Sequence, residues 1–168
     1  MHIDWIIHGG QTGVDRGAWA AAKALGINAG GVMPKDFTDE KGLIPAGVRE
    51  RMRPSDLPGK LARTKQNILI ASVLLVVVPN RLSPDVTPGT RATLDYAASR
   101  PGLQVMVADK DSADAVASWL SHLPPSVRRQ SSSRSGDFFL MVAGPRASRW
   151  PEGEAVTLDV LTAALRLA

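Results

Sequence analysis

Val73-Leu74-Leu75-Val76-Val77-Val78 is an unbroken apolar run. A strand of this kind has no polar face to offer water, so it reads as buried on both sides, the situation of a parallel sheet covered by helices. Parallel strands need crossover connections, and the rest of the chain can supply them. Trp5-Ile6-Ile7, Leu103 to Val107 and Phe138 to Val142 are further short apolar runs, and Ile27 to Val32 is one weakened by Gly30 and Gly31. Apolar residues recur at helical spacing between them. They are Val14, Ala18, Ala21, Ala22 and Leu25; Leu61, Ile68 and Leu69 within 60–71; Leu94, Ala97 and Ala98; Ala113, Val116, Ala117 and Leu120 behind a candidate N-cap at Ser112; and Leu158, Leu161 and Leu165. The expected fold class is α/β and doubly wound: a mostly parallel sheet of about five or more strands flanked by helices. The strands are expected near 4–8, 28–32, 73–78, 103–107 and 138–142. A chain of 168 residues suits one domain, 1–168. Asp36 to Gly59 is rich in Pro, Gly and charge without periodicity, and reads as a long surface loop over the cleft. Arg128 to Gly136 reads as a solvated loop.

Ligands of such folds lie beyond the carboxyl ends of the strands. Three polar turns fall there: Gly9 to Arg16, Thr87 to Arg91 and Ala143 to Arg149. In the first, Gly9, Gly10 and Gly13 separate a strand from a helix, and Gln11, Thr12, Asp15 and Arg16 crowd polar groups into the same turn. Free N–H groups at the start of that helix favour an anion, and glycine lets a ligand approach the backbone. The spacing matches neither the dinucleotide fingerprint nor a Walker A loop. Gly89 and Thr90 repeat the logic, followed by Arg91. Lys35, Arg63 and Arg146 are candidate countercharges, with Asn67 on the same helix face as Arg63. Asp15 has two readings: it orients a ligand amine, hydroxyl or cation, or it is a first-turn acid that stabilises the helix dipole by about 0.3–1 kcal/mol. His8 reads as a structural histidine. Trp150 is the aromatic best placed to stack on a ring. No Gly-x-Ser-x-Gly elbow and no acid–base pair can be named, so the catalytic residues are unknown.

The chain has no cysteine, which excludes disulfides and thiolate metal sites and fits a cytoplasmic protein. No signal peptide is visible, and the longest apolar run is too short to span a bilayer, so no membrane partner is expected. A net charge of +4 favours anionic ligands but is modest for a nucleic-acid binder.

Gly9-Gly10-Gln11-Thr12-Gly13-Val14-Asp15-Arg16-Gly17-Ala18 resembles the opening signature of the proteins named putative molybdenum carriers, a family of the Rossmann-like SLOG superfamily related to the lysine-decarboxylase-like phosphoribohydrolases. Met33-Pro34-Lys35 is similar to its Cys-Pro-Lys turn and Ile44-Pro45 to the Ile-Pro of its long loop. Arg63-Thr64 with Asn67 resembles its Arg-Thr-x-x-Asn helix. Gly89-Thr90 is similar to its Gly-Gly-Thr, and Val142 to Ser148 to its Val-Ala-Gly-Pro-Arg-x-Ser. Pro88 and Met33 depart from the pattern. The resemblance implies a Rossmann-like fold, a tendency to homo-oligomers and a phosphorylated small-molecule ligand, with molybdenum cofactor as the family's own suggestion. Without a cysteine, any grip on that cofactor falls on its phosphate, pterin edge and oxo groups, with no metal ligated by the protein.

Two other readings compete. The related hydrolases cleave nucleotide N-glycosidic bonds and carry a glutamate where Thr93 stands here. A threonine cannot do a carboxylate's acid–base work, so a nucleotide phosphoribohydrolase is the alternative, with Asp15 or Asp95 as a relocated acid. A single-stranded nucleic-acid module would need stacking aromatics. Only 5% of residues are aromatic, which disfavours it.

Overall fold

The structure, a computed structural model, describes residues 2–83, 86–129 and 136–168. The elements run β1 Trp5–Ile7, α1 Val14–Leu25, β2 Asn28–Met33, β3 Thr38–Asp39, β4 Gly42–Leu43, α2 Ala46–Arg49, β5 Met52–Pro54, α3 Lys60–Ile70 and β6 Val73–Val77. They continue with α4 Pro88–Ala98, β7 Gln104–Ala108, α5 Ala113–Ser121, α6 Pro125–Arg129, β8 Phe139–Ala143 and α7 Gly153–Leu167. Six strands form one sheet in the order β5-β2-β1-β8-β6-β7. Each pairing is parallel, with Ile6 opposite Ala29 and Leu140, and Leu75 opposite Met106 and Val142. This is the expected Rossmann-like α/β sheet, with one strand more than the apolar runs announce.

Alternation along β6 explains why its sequence is apolar throughout. Val73, Leu75 and Val77 enter the core shared with α1, α5 and α7. Leu74 and Val76 enter a second core under α3 and α4, with Ile68, Ala97 and Met141. Covering helices on both faces leave no polar side for β6 to use.

The 36–59 stretch is not the structureless loop its composition predicts. It folds as a β3–β4 hairpin, the short α2, and β5 at the sheet edge. Phe37 packs against a small cluster of Met33, Ile44 and Val48, with Ile44 fully buried. Met52-Arg53-Pro54 carries no strand signal because an edge strand tolerates proline and charge. The Ser112 hydroxyl does not cap α5. It donates instead to the Asp109 carboxylate at 2.7 Å and accepts the Asp109 amide at 2.9 Å. Most of the Arg128 to Gly136 loop lies outside the described residues; its start, through Arg129, is in α6.

The sheet order has a direct consequence for the site. Counted with β8 first, it becomes 4-3-2-1-5-6, a doubly wound order whose switch falls between β8 and β6. The turn after the first strand and the turn after the last strand are therefore neighbours.

Candidate functional site

A cleft of about 490 Å³ opens at this switch point. Its lining includes Gly9, Gln11 and Asp15 from the first turn, Thr87 to Thr90 at the start of α4, and Gly144 to Arg146 after β8. Leu61, Ala92 and Met141 provide aliphatic wall. The volume is in the range of small-molecule sites. Gly9 and Gly89 thus line one cleft.

The first turn is organised around Asp15, which is buried. Its Oδ2 accepts the Gln11 amide at 3.0 Å and lies 3.4 Å from Arg63 Nη1. Burial pushes the Asp15 carboxyl above the usual range, against the opposing pull of Arg63, the Gln11 and Gly9 amides and Arg16. The Gly10 amide donates to His8 Nδ1 at 3.2 Å. Three amides of the glycine turn, those of Gly9, Gly10 and Gln11, are therefore taken by the chain's own side chains. His8 is fully buried and neutral: burial first, then the charges of Arg16 and Arg63, lower it to about 3.

The glycines of this region make room for protein atoms. A Cβ on Gly9 would lie 1.3 Å from Arg63 Nη1, so the guanidinium occupies the space a side chain would need. A Cβ on Gly13 would sit 2.7 Å from both the Ala147 amide nitrogen and the Pro145 carbonyl. Gly13 also holds φ at 75°, which suits glycine.

Other sequence candidates have definite places. Arg16 Nη2 pairs with Asp39 Oδ2 at 2.6 Å, and its Nε donates to the Gly10 carbonyl at 3.3 Å. Asn67 is fully buried and outside the cleft lining: its Oδ1 accepts the Val32 amide at 2.7 Å and its Nδ2 donates to the Val32 carbonyl at 2.9 Å, which ties α3 to the end of β2. Lys35 and Arg91 are exposed and outside the lining. Thr90 is buried, its amide donating to Thr87 Oγ1 at 3.3 Å. Thr93 lines the cleft, its hydroxyl donating to the Gly89 carbonyl at 3.0 Å. Asp95 is exposed and outside it. Trp150 does not present a stacking face: it is 9% exposed and packs into the core against Gly153.

Sequence reasoning missed Arg149, an exposed cation on the cleft lining, and Glu40. Glu40 reaches from the β3–β4 tip to both turns. It accepts the Thr12 hydroxyl, the Ser148 hydroxyl and, at 3.0 Å, the Ser148 amide. Arg146 Nε stands 3.7 Å away. Burial pushes the Glu40 carboxyl up, but the bonds from Ser148 and Thr12 and the Arg146 charge outweigh it and hold it below its usual range. No local pattern announces such a residue. Among the described residues no helix is long and apolar enough to cross a membrane, and no three His, Asp or Glu side chains cluster as a metal site.

The crystal structure of a protein named putative molybdenum carrier protein, from Syntrophus aciditrophicus SB, matches with a TM-score of 0.77 and 28% sequence identity. The match covers 97% of this chain and 95% of that one. No curated protein matches significantly. The model of the circularly permutated YpsA SLOG family matches residues 6–165. The sheet order fits that description, since it reads 4-3-2-1-5-6 when the last strand is counted first. The chain belongs to the circularly permuted YpsA SLOG family.

Proposed function

We propose that the chain binds and carries a phosphorylated small molecule in this cleft, either a nucleotide or the molybdenum cofactor that the family resemblance implies, the similar protein's name raising molybdenum. The observation that carries the reading is the cleft's division of character. Leu61, Pro88, Ala92 and Met141 offer aliphatic wall to a flat heterocycle, while Arg146 and Arg149 supply cationic groups for its phosphate. The donor set suits the phosphate and pterin of molybdenum cofactor. It offers the metal no thiolate, because the chain has no cysteine.

One observation favours a nucleotide hydrolase instead: Asp15, a carboxyl raised by burial, lies inside the cleft. Against it, the carboxylate is already tied to Gln11 and Arg63, and Thr93 offers only a hydroxyl bonded to backbone. The two readings part in one experiment. AMP, GMP and a phosphorylated pterin are titrated calorimetrically into the protein and then assayed for free base. The expected result is saturable binding, weakened by about 1–3 kcal/mol in Arg149→Ala as for a charge-assisted contact, with no base released. Base release abolished by Asp15→Asn would overturn the carrier reading.

A further inference from the structure

Glu40 is an acid held where a ligand's anion would be expected. Its carboxylate takes the Thr12 hydroxyl, the Ser148 amide and the Ser148 hydroxyl, with the Arg146 guanidinium beside it. Thr12 is placed without help from Glu40: the Ala147 amide donates to Thr12 Oγ1 at 3.1 Å, which leaves the Thr12 proton to the carboxylate. Hydroxyl, amide and guanidinium donors converging on one point suit a phosphate's oxygens as well as a carboxylate's. Arg146 also lines the main cleft, and Gln11, next to Thr12, does so as well.

The element that carries Glu40 is light. Glu40 and Lys41 join two strands of two residues each, and Leu43 on the second is 65% exposed. The root is anchored by Ile44, fully buried and packed close to Gly10. Apart from Glu40, the tip is tied to the glycine turn by Arg16–Asp39 at 2.6 Å and by Gln11 Nε2 donating to the Thr38 carbonyl at 3.2 Å. Those two ties hold Thr38 and Asp39, the Asp39 side chain being only 2% exposed, so what can leave without opening the core is Glu40 at the turn beyond them.

We infer that Thr12, Arg146 and Ser148 form an oxyanion subsite at the cleft rim, that the chain's own Glu40 fills it, and that the phosphate group of a ligand displaces Glu40 and so removes one of the ties that hold the β3–β4 tip. This rests on the reading of the cleft as a site for a phosphorylated ligand.

The test titrates inorganic phosphate into the full chain, with amide hydrogen exchange followed over residues 38–43. Glu40→Ala should bind phosphate about tenfold tighter than the wild type, as for a site its own residue closes about nine-tenths of the time. Glu40→Gln, which keeps the side chain's shape, should shift in the same direction. Adding Ser148→Ala to Glu40→Ala should cancel the gain. Saturating phosphate should speed exchange at the tip of the wild-type protein. Unchanged or weaker phosphate binding in both Glu40 variants, with tip exchange unaffected, would overturn the inference. A parallel AMP titration keeps the two failures apart. Arg149-dependent AMP binding without any gain in the Glu40 variants refutes the subsite and leaves the cleft reading standing. A phosphate gain in the variants without nucleotide binding by any form supports the subsite and refutes the cleft reading.

Discussion

Gly9→Ala is a one-carbon change whose consequence can be followed atom by atom. The new Cβ would fall 1.3 Å from Arg63 Nη1, 2.5 Å from its Cζ and 2.9 Å from Asp15 Oδ2. Gly9 is not among the residues with positive φ, so alanine meets no backbone strain there. The atoms in the way are mainly the end of a flexible side chain, and the guanidinium is what must leave. Its departure strips the countercharge from a carboxylate whose side chain is only 8% exposed. Removing one partner of a buried pair costs about 3–5 kcal/mol. The contact is a single one at 3.4 Å, and Asp15 keeps the Gln11 amide, so the low end, about 3 kcal/mol, is expected. Urea denaturation at pH 7 measures it. The control is the same change made in Arg63→Ala, where the space is already vacant. There Gly9→Ala should cost under about 1 kcal/mol, making the pair strongly non-additive. Equal costs in the two backgrounds would show that the guanidinium is not why residue 9 is glycine.

His8, lowered to about 3 by burial and the nearby arginines, is neutral when folded but protonates in the unfolded chain near pH 6.5. The folded form therefore binds fewer protons, and stability falls with pH through that window, by about 2 kcal/mol between pH 6.5 and 5. Asp15, raised in the fold, pulls the other way as pH falls, so the comparison is with His8→Gln, which should lose most of the slope; an NMR titration placing His8 near 6.5 would disprove it. Gly17→Ala places a Cβ 2.3 Å from the Glu154 carbonyl, so α1 and α7 must part, at about 1–3 kcal/mol; an unchanged melting temperature contradicts the close-packing account. Gly89→Ala meets open space inside α4 and should stabilise by about 0.5–1 kcal/mol in a thermal melt, while weakening AMP binding if a phosphate approaches that backbone.

What could be read from the sequence was what local pattern encodes. The β6 run demanded two covered faces, and the turn after β1 was visible as glycine between a strand and a helix. β5 was not, because three residues at an edge, one of them Pro54, need no apolar signature. Glu40 was not, because its partners lie 28 and 108 residues away in the chain and meet only through the sheet order. Trp150, flanked by Arg149 and Pro151, looked exposed, yet Gly153 lets the chain fold the ring inward. Asp15 had two readings with equal local support. The geometry adds a third role, since the carboxylate accepts an amide of its own turn.

That result changes what the opening signature encodes. Gly9 makes room for Arg63, Gly13 for the Pro145–Ala147 backbone, Gly17 for α7, and Gly144, whose Cβ would stand 2.2 Å from the Val77 carbonyl, for β6. Gly13 and Gly17 lie where the segments that follow the first and last strands meet, and Gly9 and Gly144 flank that meeting, against α3 and β6. A permuted order joins segments distant in sequence at one seam, and such a seam closes only if backbones approach within the reach of a methyl group. These glycines are accounted for by the protein's own atoms, and a ligand is not needed to explain them. Gly89 is different: it lines the same cleft, has ordinary φ, and a Cβ there would touch nothing within 4 Å. Its place in a helix costs stability that packing does not repay. The ligand argument therefore rests more securely on Gly89, Arg149 and the Glu40 cradle than on the glycine signature itself.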